Sequence, residues 1–308
     1  MADFKIGTRG SPLALWQANF VKASLEKEYS GIIVELEIIH TQGDKILDTP
    51  LAMIGGKGLF VKELETALLD GRVDIAVHSM KDVPTELPNG LEISIILERE
   101  DPRDALISKS VKSFADLPQG ARVGTSSLRR QAQILSKRPD INIISIRGNV
   151  GTRIGKIEKD NLDGVILAAA GLKRMKQDDL IAEYLSQEDS LPAVAQGAMG
   201  IESRVNDKKV LDIINFLNHK ESRITVETER AFLKRLEGGC QVPIAGHATL
   251  KEDVVSFEGL VGAVDGSTIF RDVMTAPVGE HEAMGVALAE KILSKGGGEI
   301  LENFYGNK

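Results

Sequence analysis

The single cysteine of this chain, Cys240, is the residue best suited to covalent chemistry, and with no second cysteine an internal disulfide is excluded. The apolar spacing before it predicts an amphipathic helix over Glu221–Leu236 that Gly238 ends, which places the thiol on a loop. The glycines of this loop permit a positive φ and leave the sulfur accessible. Basic side chains nearby could stabilise a thiolate; these are Arg230, Lys234 and Arg235. The alternative is a buried, inert cysteine.

A carboxylate at the end of a short apolar strand is the second candidate. Lys81 and Asp82 follow a strand predicted at Val73–Val77. Neighbouring cations would keep Asp82 ionised, so that it could guide a proton or stabilise a developing cation. The alternative is an aspartate that forms a turn before Val83-Pro84. His78, in the same segment, is most simply a packed histidine whose ring is satisfied.

Positive charge is concentrated in the middle of an acidic chain. The net charge is −7, yet residues 120–176 contain twelve Lys or Arg against four Asp or Glu. Three strands predicted in this region, at 122–124, 141–146 and 164–169, are each followed by arginine. Ligands of open α/β sheets bind at the carboxyl ends of strands, and guanidinium groups suit carboxylates or phosphates. We therefore expect one anion site, although some of these arginines could instead lie on solvated helix faces.

Strands and helices alternate over the first hundred residues. A strand at Phe4–Thr8 leads through Ser11-Pro12, an N-cap followed by a first-turn proline, into a helix. The apolar spacing places Leu13, Trp16 and Phe20 on one face of this helix. Further elements are predicted as strands at 32–39, 73–77 and 92–97, a helix at 59–70, a loop at 41–58 and a polar hinge at 99–103. This alternation indicates a largely parallel sheet.

The last third of the chain has a different pattern. A strand is predicted at 193–202 and a helix at 207–218. Beyond Cys240, three short strands at 245–250, 254–264 and 267–276 precede a helix at 280–294. A small α+β domain is therefore expected, and a length of 308 residues agrees with two or three domains.

Composition excludes several classes of function. Apolar residues make up 42% of the chain, but no run approaches the ~20 residues that span a bilayer. The N-terminus has no secretory pattern, and an unpaired cysteine favours the cytoplasm. Overall acidity argues against a nucleic-acid partner. The glycine-rich segments lack the spacing of nucleotide-binding loops, and no cluster has metal-ligand spacing, so we expect neither a nucleotide nor a metal.

Six segments together carry a resemblance to the porphobilinogen deaminase (hydroxymethylbilane synthase) family, and it covers essentially the whole chain. The segments are Gly7-Thr-Arg-Gly-Ser-Pro-Leu-Ala-Leu-Trp-Gln17, Lys57-Gly-Leu-Phe60, His78-Ser-Met-Lys-Asp-Val-Pro-Thr85, Gly124-Thr-Ser-Ser-Leu-Arg-Arg130, Arg147-Gly-Asn-Val-Gly-Thr-Arg153 and Glu237-Gly-Gly-Cys-Gln-Val-Pro243.

The resemblance implies an α/β fold with two domains like those of periplasmic binding proteins and a smaller C-terminal α+β domain with a three-stranded sheet. The implied domains are 1–98 with 198–217, then 103–193, then 220–308. It implies a cytoplasmic, monomeric transferase that joins four porphobilinogen molecules head to tail with loss of ammonia, giving hydroxymethylbilane in tetrapyrrole (haem-type) biosynthesis. The chain would grow on a dipyrromethane primer attached by a thioether to Cys240.

The family's functional residues match positions of this sequence. Asp82 is implied as the catalytic group, and Lys57 and Phe60 as parts of a loop that covers the cleft. Implied cofactor-binding residues are Cys240, Lys81, Asp82, Thr125, Ser127, Arg129, Arg130, Arg147 and Arg153. Implied substrate-binding residues are Arg9, Ser11, Gln17, Arg147, Arg153 and Arg174. Two other classes remain open from the residues alone: a non-catalytic, two-lobed carboxylate-binding protein and a nucleic-acid binder.

Overall fold

The computed structural model of the chain describes residues 3–45, 58–238 and 242–306. The chain divides into two compact units. The first unit contains the described residues up to Arg99 together with Ala198–Arg223. The second contains Glu100–Gly197 and the described residues from Ile224 onward. The finer division into three domains stays a prediction.

In the described residues, the first unit is built on a five-stranded sheet in the order β2-β1-β3-β10-β4. Strands β1 and β2 are parallel, as are β1 and β3, whereas β10 runs antiparallel to both β3 and β4. The sheet is therefore mixed, and the prediction of a largely parallel sheet is wrong for its β10 side. Strand β10 follows Glu100–Gly197, which belong to the second unit. No βαβ crossover therefore requires β10 to run parallel to its neighbours. The strands are β1 (Phe4–Thr8), β2 (Val34–Ile38), β3 (Ile75–Ser79), β4 (Leu91–Ile96) and β10 (Met199–Arg204).

Helix α1 (Pro12–Glu28) starts as the sequence predicts, but it does not bury the face that carries Phe20. The Ser11 side chain accepts a hydrogen bond from the backbone N–H of Ala14 at 3.3 Å, and Pro12 occupies the first turn. Trp16 and Phe20 share a face as predicted, with ring centroids 5.5 Å apart, but Phe20 is 44% exposed. The face with smaller side chains packs on the sheet instead, since small residues permit close approach; its buried residues are Ala14, Gln17, Ala18, Val21 and Leu25.

The remaining helices of the first unit are short. They are α2 (Gln42–Lys45), α3 (Lys62–Leu69) and α7 (Lys208–Ile214). Helix α2 occupies part of the segment predicted as a loop at 41–58, and residues 46–57 lie outside the described residues. The strand predicted at 193–202 begins only at Met199.

The second unit contains a mixed sheet whose described strands have the order β7-β6-β8-β5-β9. Strand β6 is parallel to β7 and β8, and β5 is antiparallel to β8 and β9. The sequence analysis missed β5 and β9. The strands are β5 (Asp104–Ile107), β6 (Arg122–Gly124), β7 (Asn142–Ile144), β8 (Gly164–Ala168) and β9 (Glu183–Tyr184). The helices are α4 (Leu128–Lys137), α5 (Val150–Lys159) and α6 (Ala169–Arg174).

A three-stranded antiparallel sheet, β11-β12-β13, follows in the same unit, which confirms the predicted fold class. Phe232 of helix α8 packs edge-to-face on Phe257 of β12, with ring centroids 5.1 Å apart. The elements are α8 (Lys220–Arg235), β11 (Ile244–Lys251), β12 (Val254–Gly262), β13 (Ile269–Pro277), α9 (His281–Ile292) and α10 (Gly298–Gly306). Over the described ranges, no helix has both the length and the apolar character needed to cross a bilayer.

Candidate active site

A pocket in the first unit lies where β1 and β3 end and α1 begins. It brings together five residues that the sequence analysis assigned to the site: Arg9, Ser11, Gln17, Phe60 and Asp82. Parallel strands β1 and β3 end at the same edge of the sheet, which is where an open α/β sheet binds ligands. The predicted convergence of these side chains is therefore observed within one unit.

Charges of opposite sign line this pocket. The Arg9 guanidinium lies 4.3 Å from the ring centroid of Phe60, a cation–π contact that orients it. Gln17 is 2% exposed, and its Nε2 donates a hydrogen bond to Ser79 Oγ at 2.8 Å. Asp82 supplies a carboxylate. A pocket with both a guanidinium and a carboxylate suits a small molecule that carries negative and positive groups.

Local packing places Asp82 at the pocket. A 3-10 turn at Met80–Asp82 continues β3, and the buried Met80 donates its backbone N–H to Ala198 O at 3.0 Å. A Cβ at position 200 would lie 2.1 Å from Met80 Sδ, so any residue larger than Gly200 would displace the Met80 side chain. Asp82 thus lies in a turn, as the plainer sequence interpretation held, and is also half-buried at the pocket. Lys81 is half-buried beside it.

A buried histidine and two buried glutamates lie beside the pocket. His78 Nε2 is 2.8 Å from Glu202 Oε2, and the two side chains are 4% and 0% exposed. The pKa of Glu65 is raised to about 7. Burial is the larger cause, and the negative charge of Glu202 is the second. His78 is also one of the residues that line the pocket.

In the second unit, two predicted anion-binding arginines share one buried carboxylate. Arg129 Nη1 donates to Asp104 Oδ2 at 2.8 Å, and Arg130 Nη2 donates to Asp104 Oδ1 at 2.7 Å. Ser190 Oγ and Gln196 Nε2 also donate to Asp104, at 2.7 and 2.9 Å. Burial alone would raise the pKa of Asp104, but the two guanidinium charges outweigh it and hold the pKa far below its usual range. Burial likewise lowers the pKa of Arg129.

Four other predicted anion-site residues of this unit follow the carboxyl ends of two strands, β6 and β7. Thr125 is buried, and its Oγ1 accepts the backbone N–H of Ser127 at 3.2 Å. Ser127 in turn caps α4. Arg153 Nε donates to Gly148 O at 2.8 Å, and Arg147 is half-buried just after β7.

Arg174, in α6, is largely committed to the protein itself. Its Nη2 donates to Gly197 O at 2.6 Å. The side chain is buried, and burial lowers the pKa of Arg174 to about 10. This predicted substrate-binding arginine thus makes a structural contact within the second unit, with the residue that precedes Ala198.

Two predicted site residues, Cys240 and Lys57, lie outside the described residues. Conversely, the sequence analysis missed Asp104, Glu202 and Glu65. Each is a lone carboxylate inside an apolar run, Asp-Ala-Leu-Ile, Met-Gly-Ile-Glu and Leu-Glu-Thr-Ala-Leu-Leu, and that context is the signal that could have marked it as paired.

One group of possible metal ligands occurs among the described residues, in the unit that holds the three-stranded sheet. Its ligand atoms lie within 4.8 Å of one another, and its members are Glu227, His281 and Glu282. Glu282 is exposed, and none of the three lines the pocket.

The mixed α/β sheets, the pocket at the strand ends and the arginine-rich second sheet define a protein that binds a small charged molecule. Comparison with known families is more specific. Residues 4–212 match the family model "Porphobilinogen deaminase, dipyromethane cofactor binding domain", and residues 223–294 match "Porphobilinogen deaminase, C-terminal domain". The chain belongs to the porphobilinogen deaminase family.

Curated relatives agree with this assignment. The chain is 60% identical over 303 residues to the porphobilinogen deaminase of Geobacter metallireducens, with 98% of this chain and 95% of that protein covered. It is 58% identical over 301 residues to the enzyme of the same name from Geobacter sulfurreducens, with 98% and 94% covered. The predicted family is therefore confirmed, and so is the presence of a dipyrromethane cofactor-binding domain.

Two solved structures show a distant likeness to the chain. A nutrient-binding protein from Burkholderia cenocepacia bound to methionine is 14% identical, with 71% of this chain and 93% of that chain covered and a TM-score of 0.42. A periplasmic substrate-binding protein of an ABC transporter from Coxiella burnetii is 13% identical, with 72% and 94% covered and a TM-score of 0.42.

Proposed function

We propose that this chain joins four porphobilinogen molecules head to tail, with loss of one ammonia each time, to give hydroxymethylbilane for tetrapyrrole biosynthesis. The observation that carries the proposal is the pocket of the first unit, in which Arg9 and Asp82 supply opposite charges. Porphobilinogen has an acetate, a propionate and an aminomethyl group on one pyrrole ring. The chemistry of this substrate matches the charges of the pocket, and family membership supports the same reaction.

Arg9 is proposed to bind a substrate carboxylate. Its contact with the Phe60 ring restricts the guanidinium before substrate arrives, so less side-chain freedom is lost on binding. The Gln17–Ser79 hydrogen bond likewise fixes an amide at the wall of the pocket. Ser11 combines pocket lining with capping of α1, which ties the substrate site to the start of that helix.

Asp82 is proposed as the catalytic group. Breaking the C–N bond of porphobilinogen sends the electron pair out with ammonia and leaves a cation spread over the pyrrole ring. A fixed carboxylate near the ring nitrogen stabilises that charge more than the neutral ground state, and this difference accelerates the step. The packing of Met80 against Gly200 holds the turn that carries Asp82.

Cys240 is proposed to hold the dipyrromethane primer through a thioether. When bound, the primer supplies the pyrrole carbon to which the first new unit is joined. The second unit fits a ligand rich in carboxylates, because two guanidiniums face one carboxylate there and Arg129 Nε is buried with no partner among the described residues. Residues proposed to bind the primer are Lys81 and Asp82 in the first unit and Thr125, Ser127, Arg129, Arg130, Arg147 and Arg153 in the second.

The remaining expectations are also part of this proposal. Arg147, Arg153 and Arg174 are proposed to contribute to substrate binding, and Lys57 with Phe60 to a loop at the site. We propose three domains, 1–98 with 198–217, 103–193 and 220–308, in a cytoplasmic monomer with no nucleic-acid partner. Sedimentation velocity of the purified chain tests the monomer, for which a single species near 33.3 kDa is expected.

Intact-protein mass of the wild type beside Cys240→Ser tests the covalent assignment. An excess mass of two linked pyrrole units in the wild type, absent from the variant, is expected. Ammonia release from porphobilinogen tests the reaction, and Asp82→Asn should nearly abolish it while the circular-dichroism spectrum stays unchanged. An unmodified wild type that binds porphobilinogen without releasing ammonia would contradict the transferase and favour a carboxylate-binding protein.

A further inference from the structure

A buried histidine–carboxylate pair borders the substrate pocket, and the proposed chemistry does not yet use it. His78 extends from β3 and Glu202 from the neighbouring strand β10, with 2.8 Å between Nε2 and Oε2. The third member of the cluster, Glu65, extends from α3. His78 is 5% exposed and lines the same pocket as Asp82. The pair is therefore buried, and one of its two residues is among those that line the site.

The hydrogen bond to Glu202 determines which ring nitrogen of His78 is basic. An ionised carboxylate only accepts hydrogen bonds, so Nε2 carries the hydrogen and donates it. In the neutral ring the lone pair then resides on Nδ1. Among the residues that the structure describes, no hydrogen bond to Nδ1 is found. A histidine held in one tautomer by a buried carboxylate is the arrangement that proton-accepting histidines have in many enzymes.

A second buried carboxylate, Glu65, lies near the pair. Two buried carboxylates cannot both ionise cheaply, and Glu65 takes the proton, because burial and the charge of Glu202 raise its pKa to about 7. Glu63 and Lys62 of α3 act on Glu65 in opposite directions. Glu65 is thus the carboxylate of this cluster whose pKa is raised.

Each condensation has two electrostatic demands that one carboxylate meets poorly. A cation must be stabilised when ammonia leaves, which needs a group that stays negative. A proton must then be removed from the pyrrole carbon that formed the new bond. A carboxylate that accepts this proton loses the charge that the cation requires, so two separate groups serve the reaction better.

We propose that His78 is a second catalytic residue, the base that removes the proton from the attacked pyrrole carbon, and that Glu202 is its positioning residue. The inference rests on the transferase function proposed above. The C–H bond breaks, its electron pair returns to the ring and restores aromaticity, and an N–H bond forms at Nδ1. The resulting imidazolium is stabilised by Glu202 and passes its extra proton to the departed ammonia, while Asp82 stays ionised throughout.

His78→Gln is the decisive variant. The glutamine amide keeps a donor for Glu202 but has no basic nitrogen, so the fold and the primer mass should be retained. The turnover number should fall about 10²- to 10³-fold, the usual contribution of a general base. With porphobilinogen deuterated at the free α-carbon, the variant should show a larger primary isotope effect than the wild type, because removal of that proton has become rate-limiting.

A matched control is available in the second unit. His247 is also buried and lies near a carboxylate, with its Nδ1 3.4 Å from Glu229 Oε1. His247→Gln should leave the isotope effect unchanged. If His78→Gln turns over at the wild-type rate, or loses turnover only in proportion to lost primer or lost fold with no change in the isotope effect, the proposal is wrong.

A second readout does not depend on activity. Nitrogen-15 NMR of histidine-labelled protein, with the His78 signals assigned from the variant, should show a protonated Nε2 and an unprotonated Nδ1. Glu202→Gln should abolish this preference, because a neutral amide can either donate or accept. The opposite tautomer in the wild type would overturn the inference. Failure of wild-type protein to release ammonia would instead refute the proposed function, so the two failures are distinguishable.

Discussion

Replacing Asp104 by Asn tests the electrostatic account of the second unit most directly. The side chain is 0% exposed, and its two oxygens accept hydrogen bonds from Arg129, Arg130, Ser190 and Gln196. Asparagine preserves the size of the side chain but removes the charge and one acceptor. Two guanidiniums that are 4% and 6% exposed are then left without a counter-charge.

The expected loss of stability follows from that burial. Removal of one partner from a buried ion pair costs about 3–5 kcal/mol, and two arginines depend on Asp104, so we expect the upper part of that range. The pKa of Asp104 is depressed in the folded chain, and the stabilisation is therefore complete above the ordinary aspartate pKa and is lost as pH falls below it. The difference between wild type and variant should be full at pH 7 and shrink in acid.

Urea unfolding followed by circular dichroism, at pH 7 and at the lowest pH where the wild type folds, measures this difference. Ser190→Ala is the matched control, since it deletes one neutral donor to the same carboxylate and should cost about 1 kcal/mol with no comparable pH dependence. Glu158→Gln, at an exposed pair with Lys109, should leave the unfolding free energy nearly unchanged. A loss for Asp104→Asn no larger than that of Ser190→Ala would refute the reasoning.

Three further substitutions have defined outcomes. The pKa of Glu65 is raised to about 7, so its contribution to stability is present at low pH and is lost as pH rises through 7. The unfolding free energy of Glu65→Gln should therefore rise relative to wild type by up to about 3 kcal/mol between pH 5 and pH 8. An equal difference at both pH values would contradict this. Gly197→Ala should lower the unfolding free energy by about 2 kcal/mol or more, because φ is +90° and a Cβ would lie 2.3 Å from Glu100 O; a neutral effect by urea titration would show that the backbone relaxes. Ser127→Ala removes the N-cap of α4 and should cost about 1 kcal/mol by the same titration, and no loss would mean that water replaces the cap.

Sequence pattern predicted most elements because hydrophobic periodicity and caps are local. The strand Phe4–Thr8 and the Ser11 cap were both correct. The buried face of α1 could not be predicted, because the helix has an aromatic stripe and a small-residue stripe and only packing on the sheet decides between them. The direction of β10 was also beyond reach, since it depends on pairing between residues more than a hundred positions apart in sequence.

The residues of the candidate site could likewise be predicted only in part from the sequence. Motifs predicted Arg9, Gln17 and Asp82, and these residues meet at the pocket because they lie at the ends of neighbouring elements. The partners that determine their environment were not predicted. Glu202 meets His78 only because β10 pairs with β3, and that pairing has no local signal.

Three carboxylates illustrate how the fold assigns different chemistry to the same functional group. Asp104 is enclosed by donors on both oxygens, so it has no capacity left for a ligand and serves stability. Glu65 is buried near another acid and retains its proton until about pH 7, so it serves as the neutral member of its cluster.

Asp82 differs from both because it is half-buried at a pocket that also contains a guanidinium. Access and charge together are what stabilisation of a substrate cation requires. A carboxylate used in this way is worth most if it never accepts the proton that the reaction releases. The position of His78 at the same pocket, with Glu202 behind it, supplies a separate acceptor and so lets Asp82 remain charged through repeated additions.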